Sequence, residues 1–256
     1  MRSFLLCICI ATLLFAGCTV RPPAVPVQAD QPWTAFTRRT GALPPVPGFS
    51  ARMSVTTITA DGGHRLTADF WGAPTLPLRL DLQAGIGRTI SMLREDNRAL
   101  MAYLPGENRV YHHPDPRTGT RLLGLETPFS LAELAEILRG NWSGIIPADF
   151  SRVEPASDRS WRYGFREPSR IASAVLDPDG RVLEVAERAG WTLALDRFPQ
   201  PPTRFPVAEK LTVTSPDGDR LIIRIKSYHP RTEPWPPEKM ELRVPDDVDH
   251  MLLVDN

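Results

Sequence analysis

From Leu76 to Gln83 the chain alternates. Leu76, Leu78, Leu80 and Leu82 fall on one side, and Arg79, Asp81 and Gln83 on the other. A two-residue period is that of a strand with one buried face. Trp191, Leu193 and Leu195 repeat it, as do Leu221, Ile223 and Ile225, and Val182 is followed by Glu184 on its own face. Similar runs start at Phe49 and are punctuated by turn sequences at 61–63 (DGG), 96–97 (DN), 105–108 (PGEN), 178–180 (PDG) and 216–219 (PDGD). Short strands separated by such turns predict an antiparallel meander. The strands fall over 49–60, 64–73, 76–83, 88–95, 98–104 and 109–113, then over 161–166, 170–177, 181–188, 191–197, 209–215 and 220–228.

One helix interrupts this pattern. Ser130 and Glu133 form a capping-box pair, Leu131, Leu134, Ile137 and Leu138 make one apolar stripe, and Gly140 ends the helix. The stripe is short and flanked by Pro128 and Gly140, which predicts a cover that opens before strands such as 76–83. A long sheet with one apolar face must curl around something. The expected fold is mainly β: a strongly curved antiparallel sheet forming an unclosed barrel with a helical lid. Its apolar face serves either as a filled core or as the wall of a ligand cavity. Cavity candidates are Leu78, Leu80, Leu82, Met92, Met101, Trp191, Leu193, Ile223 and Ile225, with Leu131, Leu134 and Leu138 on the lid. The methionines suit a site that adapts to a flexible chain.

The ends of the chain have a different texture. Arg2 and the apolar run from Phe4 to Phe15 read as a signal peptide over residues 1–17, too short to span a ~30 Å hydrocarbon core. Leu14-Phe15-Ala16-Gly17-Cys18 resembles the bacterial lipobox, which implies diacylglycerol on Cys18, cleavage before it, and acylation of the new N-terminus. Several acyl chains make a lasting anchor where one alone is marginal. Cys7 and Cys9 leave with the signal, so the mature chain is expected to hold no free thiol and no disulfide. Thr19, where an aspartate would favour inner-membrane retention in enterobacteria, points to an outer-membrane, periplasm-facing location. Residues 18–48, with Pro22, Pro23, Pro26, Pro32, Pro44, Pro45 and Pro47, read as a lipidated, semi-rigid tether with one or two helical turns at 33–39. Residues 246–256 read as an acidic, partly apolar tail, leaving 49–245 as the domain.

Charge and motifs narrow the function. Cleavage removes one basic residue and no acidic one from a chain with 30 of each, so no polybasic patch invites nucleic acid. HExxH, GxSxG, a Gly-rich phosphate loop and CxxC are all missing from the sequence. His112 and His113 are neighbours in a strand and point to opposite faces, which disfavours a shared metal, and His64, His229 and His250 show no partner in sequence. Arginine dominates, with lysine only at 210, 226 and 239, and reads mainly as composition. No cofactor and no enzymatic activity are expected.

Three segments resemble the LolA/LolB superfamily, LolB-like lipoproteins above all. The segment 70–96 (FWGAPTLPLRLDLQAGIGRTISMLRED) is similar to the family's strand, apolar tip and strand. That over 127–147 (TPFSLAELAEILRGNWSGIIP) is similar to its lid helix, and that over 205–228 (FPVAEKLTVTSPDGDRLIIRIKSY) to its terminal hairpin. The resemblance runs over roughly residues 49–245. It implies an open barrel with an apolar cavity that accepts acyl chains of lipoproteins and helps insert them into the membrane, receiving them from a periplasmic carrier protein. It also implies a protruding apolar tip, and Ile86 is the matching position. The long tether and the continuation over 234–256 depart from the simplest members. They keep open a structural or assembly lipoprotein with a filled core that binds a protein partner.

The lipobox reading makes a direct prediction. Cys18→Ser leaves the domain folded, moves the protein out of the membrane fraction and removes the lipid mass. Fractionation with intact-mass measurement checks it, and an unchanged mass in the membrane fraction contradicts it.

Overall fold

Two antiparallel meanders build the molecule. The computed structural model describes residues 29–85, 87–97, 99–157, 159–199 and 208–254. The first meander comprises β1 (Gly48–Thr59), β2 (Gly62–Gly72), β3 (Leu78–Ala84), β4 (Arg88–Glu95), β5 (Leu100–Leu104) and β6 (Arg109–His113). The second comprises β7 (Arg152–Ser157), β8 (Ser160–Gly164), β9 (Ile171–Leu176), β10 (Val182–Glu187), β11 (Thr192–Asp196), β12 (Lys210–Thr214) and β13 (Arg220–Arg231). They join where β1 pairs with β13, from Gly48 opposite Arg231 to Ile58 opposite Arg220. With β14 (Asp249–Leu252) added in parallel on β6, the sheet runs β14-β6-β5-β4-β3-β2-β1-β13-β12-β11-β10-β9-β8-β7 and does not close.

Alternation along each strand fixes the two faces. Phe49, Met53, Phe70, Leu80, Leu93, Leu193, Leu211 and Ile223 belong to one buried core on the inner face. Trp71, Arg79, Asp81 and Met92 share the outer face by register. The expected antiparallel, unclosed, mainly β architecture is therefore present.

The chain leaves the sheet at one edge, β6, and returns at the opposite edge, β7. Two helices lie in that crossing: α2 (Pro116–Leu122) and α3 (Leu131–Arg139). Asp115 caps α2 through Arg117 N, and Pro116 fits its first turn, where no amide partner is needed. In α3 both halves of the Ser130–Glu133 capping box form, and Gly140 ends the helix in the left-handed conformation.

The stretch read as tether is corrected over its second half. Residues Asp30–Gly41 form the helix α1, which is built into the core rather than extended away from it. Phe36 is buried, and Trp33 packs against Phe36, Phe150 and Tyr163 with ring centroids 5.0–5.1 Å apart. Tyr163 Oη donates to Ala29 O at 2.5 Å, and burial pushes this phenol up to about 12. Gly180, in the β9–β10 turn, permits the approach, since a Cβ there would meet Phe36 N at 2.3 Å.

The stretch read as tail is likewise part of the sheet. After β13 the chain crosses the outer face through α4 (Pro237–Met240). Trp235 Nε1 donates to Phe49 O at 2.9 Å, Trp71 Nε1 to Lys239 O at 3.4 Å, and Arg79 Nη1 to Glu241 O. Met240 and Arg79 are buried by this crossing, and β14 then lines the β6 edge. No helix among the described residues is long and apolar enough to cross a membrane. The signal segment and Cys18 lie outside the described residues.

Candidate functional site: the roofed concave face

The inner face and α3 meet across a narrow apolar space of about 30 Å³. Of the sequence-predicted positions, Leu80, Leu82, Leu193 and Ile223 line it from the sheet, and Leu131 and Leu134 line it from α3. Leu125, Phe129 and Ile137 join them from the crossing and the helix. Leu78 and Leu138 are fully buried in the same core but do not border the space. Trp191 and Ile225 sit half-buried at the margin of the core.

Met92 and Met101 require correction. On β4 the inward positions are Leu93 and Glu95, and on β5 they are Leu100 and Ala102. Parity therefore turns both methionines to the outer face, Met92 opposite Asp81 and Met101 opposite Arg94. Ile86 lies outside the described residues. On the same β3–β4 hairpin, Ile90 is a large apolar residue left exposed.

Thirty cubic ångströms hold about one water molecule, whereas benzene needs a cavity of ~150 Å³. An acyl chain therefore fits here only after α3 has moved outward. Wider clefts of about 270 and 590 Å³ flank the C-terminal half of α1 and share Phe36, Thr40, Leu43 and Arg139. Both are open grooves rimmed by helix ends and arginines, unlike the apolar interior.

The start of α3 is fixed by polar contacts. Glu95, only 3% exposed, projects inward from β4. Its Oε2 accepts from Leu131 N at 2.6 Å and Ala132 N at 3.2 Å, two of the amides a helix start leaves unpaired. Ser130 Oγ accepts from Glu133 N, and Glu133 Oε2 accepts from Ser130 N. The same Glu133 carboxylate binds Arg117 at 2.7 and 2.8 Å, and binds Arg170. Arg170 continues to Glu187 on β10 and lies 5.6 Å over the Phe129 ring. The start of α3 is thus fastened to both halves of the sheet. Burial raises the pKa values of Glu95 and Glu187 above the ordinary carboxylate value despite these donors.

Glu95, Arg117 and Arg170 escaped the sequence reading. A usable signal existed for Glu95: with Leu93 inward, alternation places a carboxylate inward two residues later, and such a group needs a partner. Arg117 came from a segment with no period to orient it, and Arg170 stands at the very start of a predicted strand.

A curved, unclosed antiparallel sheet whose apolar concave face is roofed by a helix defines a class, and solved structures of that class are similar to this chain. A LolA superfamily protein from Nitrosomonas europaea matches with a TM-score of 0.57 at 10% identity, over 83% of this chain and 98% of that one. A putative outer membrane lipoprotein-sorting protein domain from Vibrio parahaemolyticus matches at 0.53 and 14% identity, over 80% and 94%. A DUF1329 family protein from Desulfovibrio piger matches at 0.54 and 7% identity, over 83% and 97%. No family model matches the sequence, and no curated protein does. The chain shares the fold of these structures, and the matches do not single out the LolB-like branch.

Glu95 gives a pH-dependent prediction. Because folding raises its pKa above 4.5, its contribution to stability is complete below that value and is lost as pH rises through the raised one. Glu95→Gln keeps an acceptor but does not titrate. In urea titrations, wild type should therefore gain stability relative to Glu95→Gln as pH falls from neutrality toward 4.5. Glu95→Ala leaves two helix-start amides without their acceptor and should cost about 1–3 kcal/mol relative to Glu95→Gln at all pH values.

Proposed function

We propose that this protein is an outer-membrane lipoprotein, anchored through Cys18 and facing the periplasm, that binds acyl chains of lipoproteins between its sheet and α3 and helps insert them into the membrane. The observation carrying this reading is the apolar concave face roofed by a helix whose start is held by capping and ion pairs, contacts that can break and re-form. The LolA-superfamily fold supports it, as does the lipoprotein-sorting description of the Vibrio protein. Transfer is physical: a chain leaves one apolar site for a better one at ~0.8 kcal/mol per CH₂. A periplasmic carrier protein is the donor in this scheme.

The narrow space of about 30 Å³ favours a second reading, a structural or assembly lipoprotein with a filled core that binds a protein partner. Uptake of a fluorescent acyl-chain probe by the purified full chain separates the two. On the acyl-binding reading the probe binds, and Arg170→Ala, which loosens the start of α3, speeds uptake several-fold. Failure of both proteins to bind the probe leaves the filled-core reading.

The tip enters the same scheme. The partly exposed Ile90 on the same hairpin supports an apolar surface there. Ile86→Glu should leave thermal stability nearly unchanged while impairing lipoprotein transfer to liposomes, because a charge against hydrocarbon is costly. Unchanged transfer removes the tip from the mechanism, and a large loss of stability assigns Ile86 to the core.

A further inference from the structure

The C-terminal strand is attached to the molecule in an unusual way. β14 pairs with β6 in parallel over four residues, from Asp249 opposite Arg109 to Leu252 opposite His112, and Leu253 N donates to His112 O at 2.9 Å. Parallel pairing of this length is weak. Apolar burial adds little, since Leu252 is 72% and Val254 68% exposed. The side-chain contact that joins strand to edge is between two histidines. His112 Nε2 and His250 Nδ1 are 2.8 Å apart, with the rings stacked at 5.1 Å. Upstream, the segment is held independently by Trp235, Trp71 and Arg79.

We propose that His112 and His250 form an acid-released clasp that holds the C-terminal strand on the β6 edge and lets residues 249–254 detach when both imidazoles are charged. A bond between two imidazoles needs one N–H and one lone pair. The first proton leaves that bond intact, because an imidazolium still donates to an imidazole. The second removes the only acceptor and sets two like charges in contact.

The surroundings do not offset this. Across β5 the neighbour of His112 is Met101, beyond which Arg94 lies 4.0 Å from Met101 Sδ and is paired with Asp96. On β6, Arg109 is exposed, Tyr111 is bonded to Glu107, and His113 faces the other way, toward Asp115. Asp249 on β14 and Arg243, Asp246 and Asp247 before it are exposed. Among the described residues, none of these groups hydrogen-bonds or ion-pairs with either clasp imidazole. Burial, then the nearby His250, holds His112 below its ordinary 6.5. The contribution of a group shifted this way is present above 6.5 and is lost as pH falls through the lowered value.

Release bares the backbone groups of β6, an edge open to strand addition from a partner, next to α2 at the base of the roof. The test is hydrogen exchange of the full chain, corrected for intrinsic rate, between about pH 8 and about pH 5, the interval in which histidine changes charge. Amides of 249–253 should be protected at the upper value and lose protection at the lower, while those of β3 stay protected at both. His250→Phe, which removes both the imidazole bond and the second charge, should leave 249–253 with the same low protection at both values. Three results overturn the proposal: protection of 249–253 at the lower pH in wild type, no protection at the upper, or the same pH dependence in His250→Phe.

Discussion

The path of the chain across an unclosed sheet dictates where the roof lies. Because β1 pairs with β13, the two meanders grow outward from the middle, and their ends, β6, which β14 extends, and β7, lie at the two flanks of the curve. The link between them must span the mouth. Without cover, that mouth would expose the alternating Leu, Val and Ile of every strand. α3 fills it by burying Leu131, Ala135, Ile137 and Leu138. The remaining question is orientation, and Glu95 settles it by meeting the first two amides of α3 from below.

That solution has an energetic cost. A carboxylate moved into an apolar interior loses hydration, and the raised pKa of Glu95 shows that the helix amides do not fully replace it. Apolar packing alone could seat the helix but would tolerate sliding, whereas directional hydrogen bonds fix one register. On the proposed reading the magnitudes allow opening. Lifting Leu131, Ile137 and Leu138 costs roughly 4.5–9 kcal/mol at 1.5–3 each. An acyl chain of about 15 methylenes, at ~0.8 kcal/mol each, contributes roughly 12. The ligand and the roof's own side chains are therefore comparable occupants of one space.

The hairpins were legible because their information is local. Alternation and turns such as Pro178-Asp179-Gly180 place β3, β4, β9 and β10 within a residue or two, and the capping box with Gly140 delimits α3. Besides the four-residue α4, four elements were missed or underread, each for a physical reason. β7 is an exposed edge strand with Pro155 and no apolar face to alternate. α2 is seven residues long, and only Asp115-Pro116 signals it. α1, read as one or two turns, owes its full length to the pocket of Phe150, Tyr163 and Phe165 that receives Trp33. β14 exists because a distant edge accepts it. Of the site, the apolar lining followed from parity, applied consistently for Leu80 and Leu82 and not for Met92 or Met101. The polar fastening joins residues tens of positions apart, which no period records.

The docking of α1 also changes what an anchor at Cys18 would permit. A spacer over residues 18–48 would let the domain range widely. With Asp30–Gly41 fixed in the core by Trp33 and Phe36, only residues 18–29 separate the proposed lipid from the folded body. At full extension that stretch reaches about 40 Å, roughly one bilayer thickness. On the proposed reading the domain is therefore held against the membrane surface rather than free to sweep the periplasm. A projection the size of the β3–β4 hairpin can touch lipid only under that condition. The helix docked against Tyr163 and the β9–β10 turn and the length of the leash are thus one structural decision.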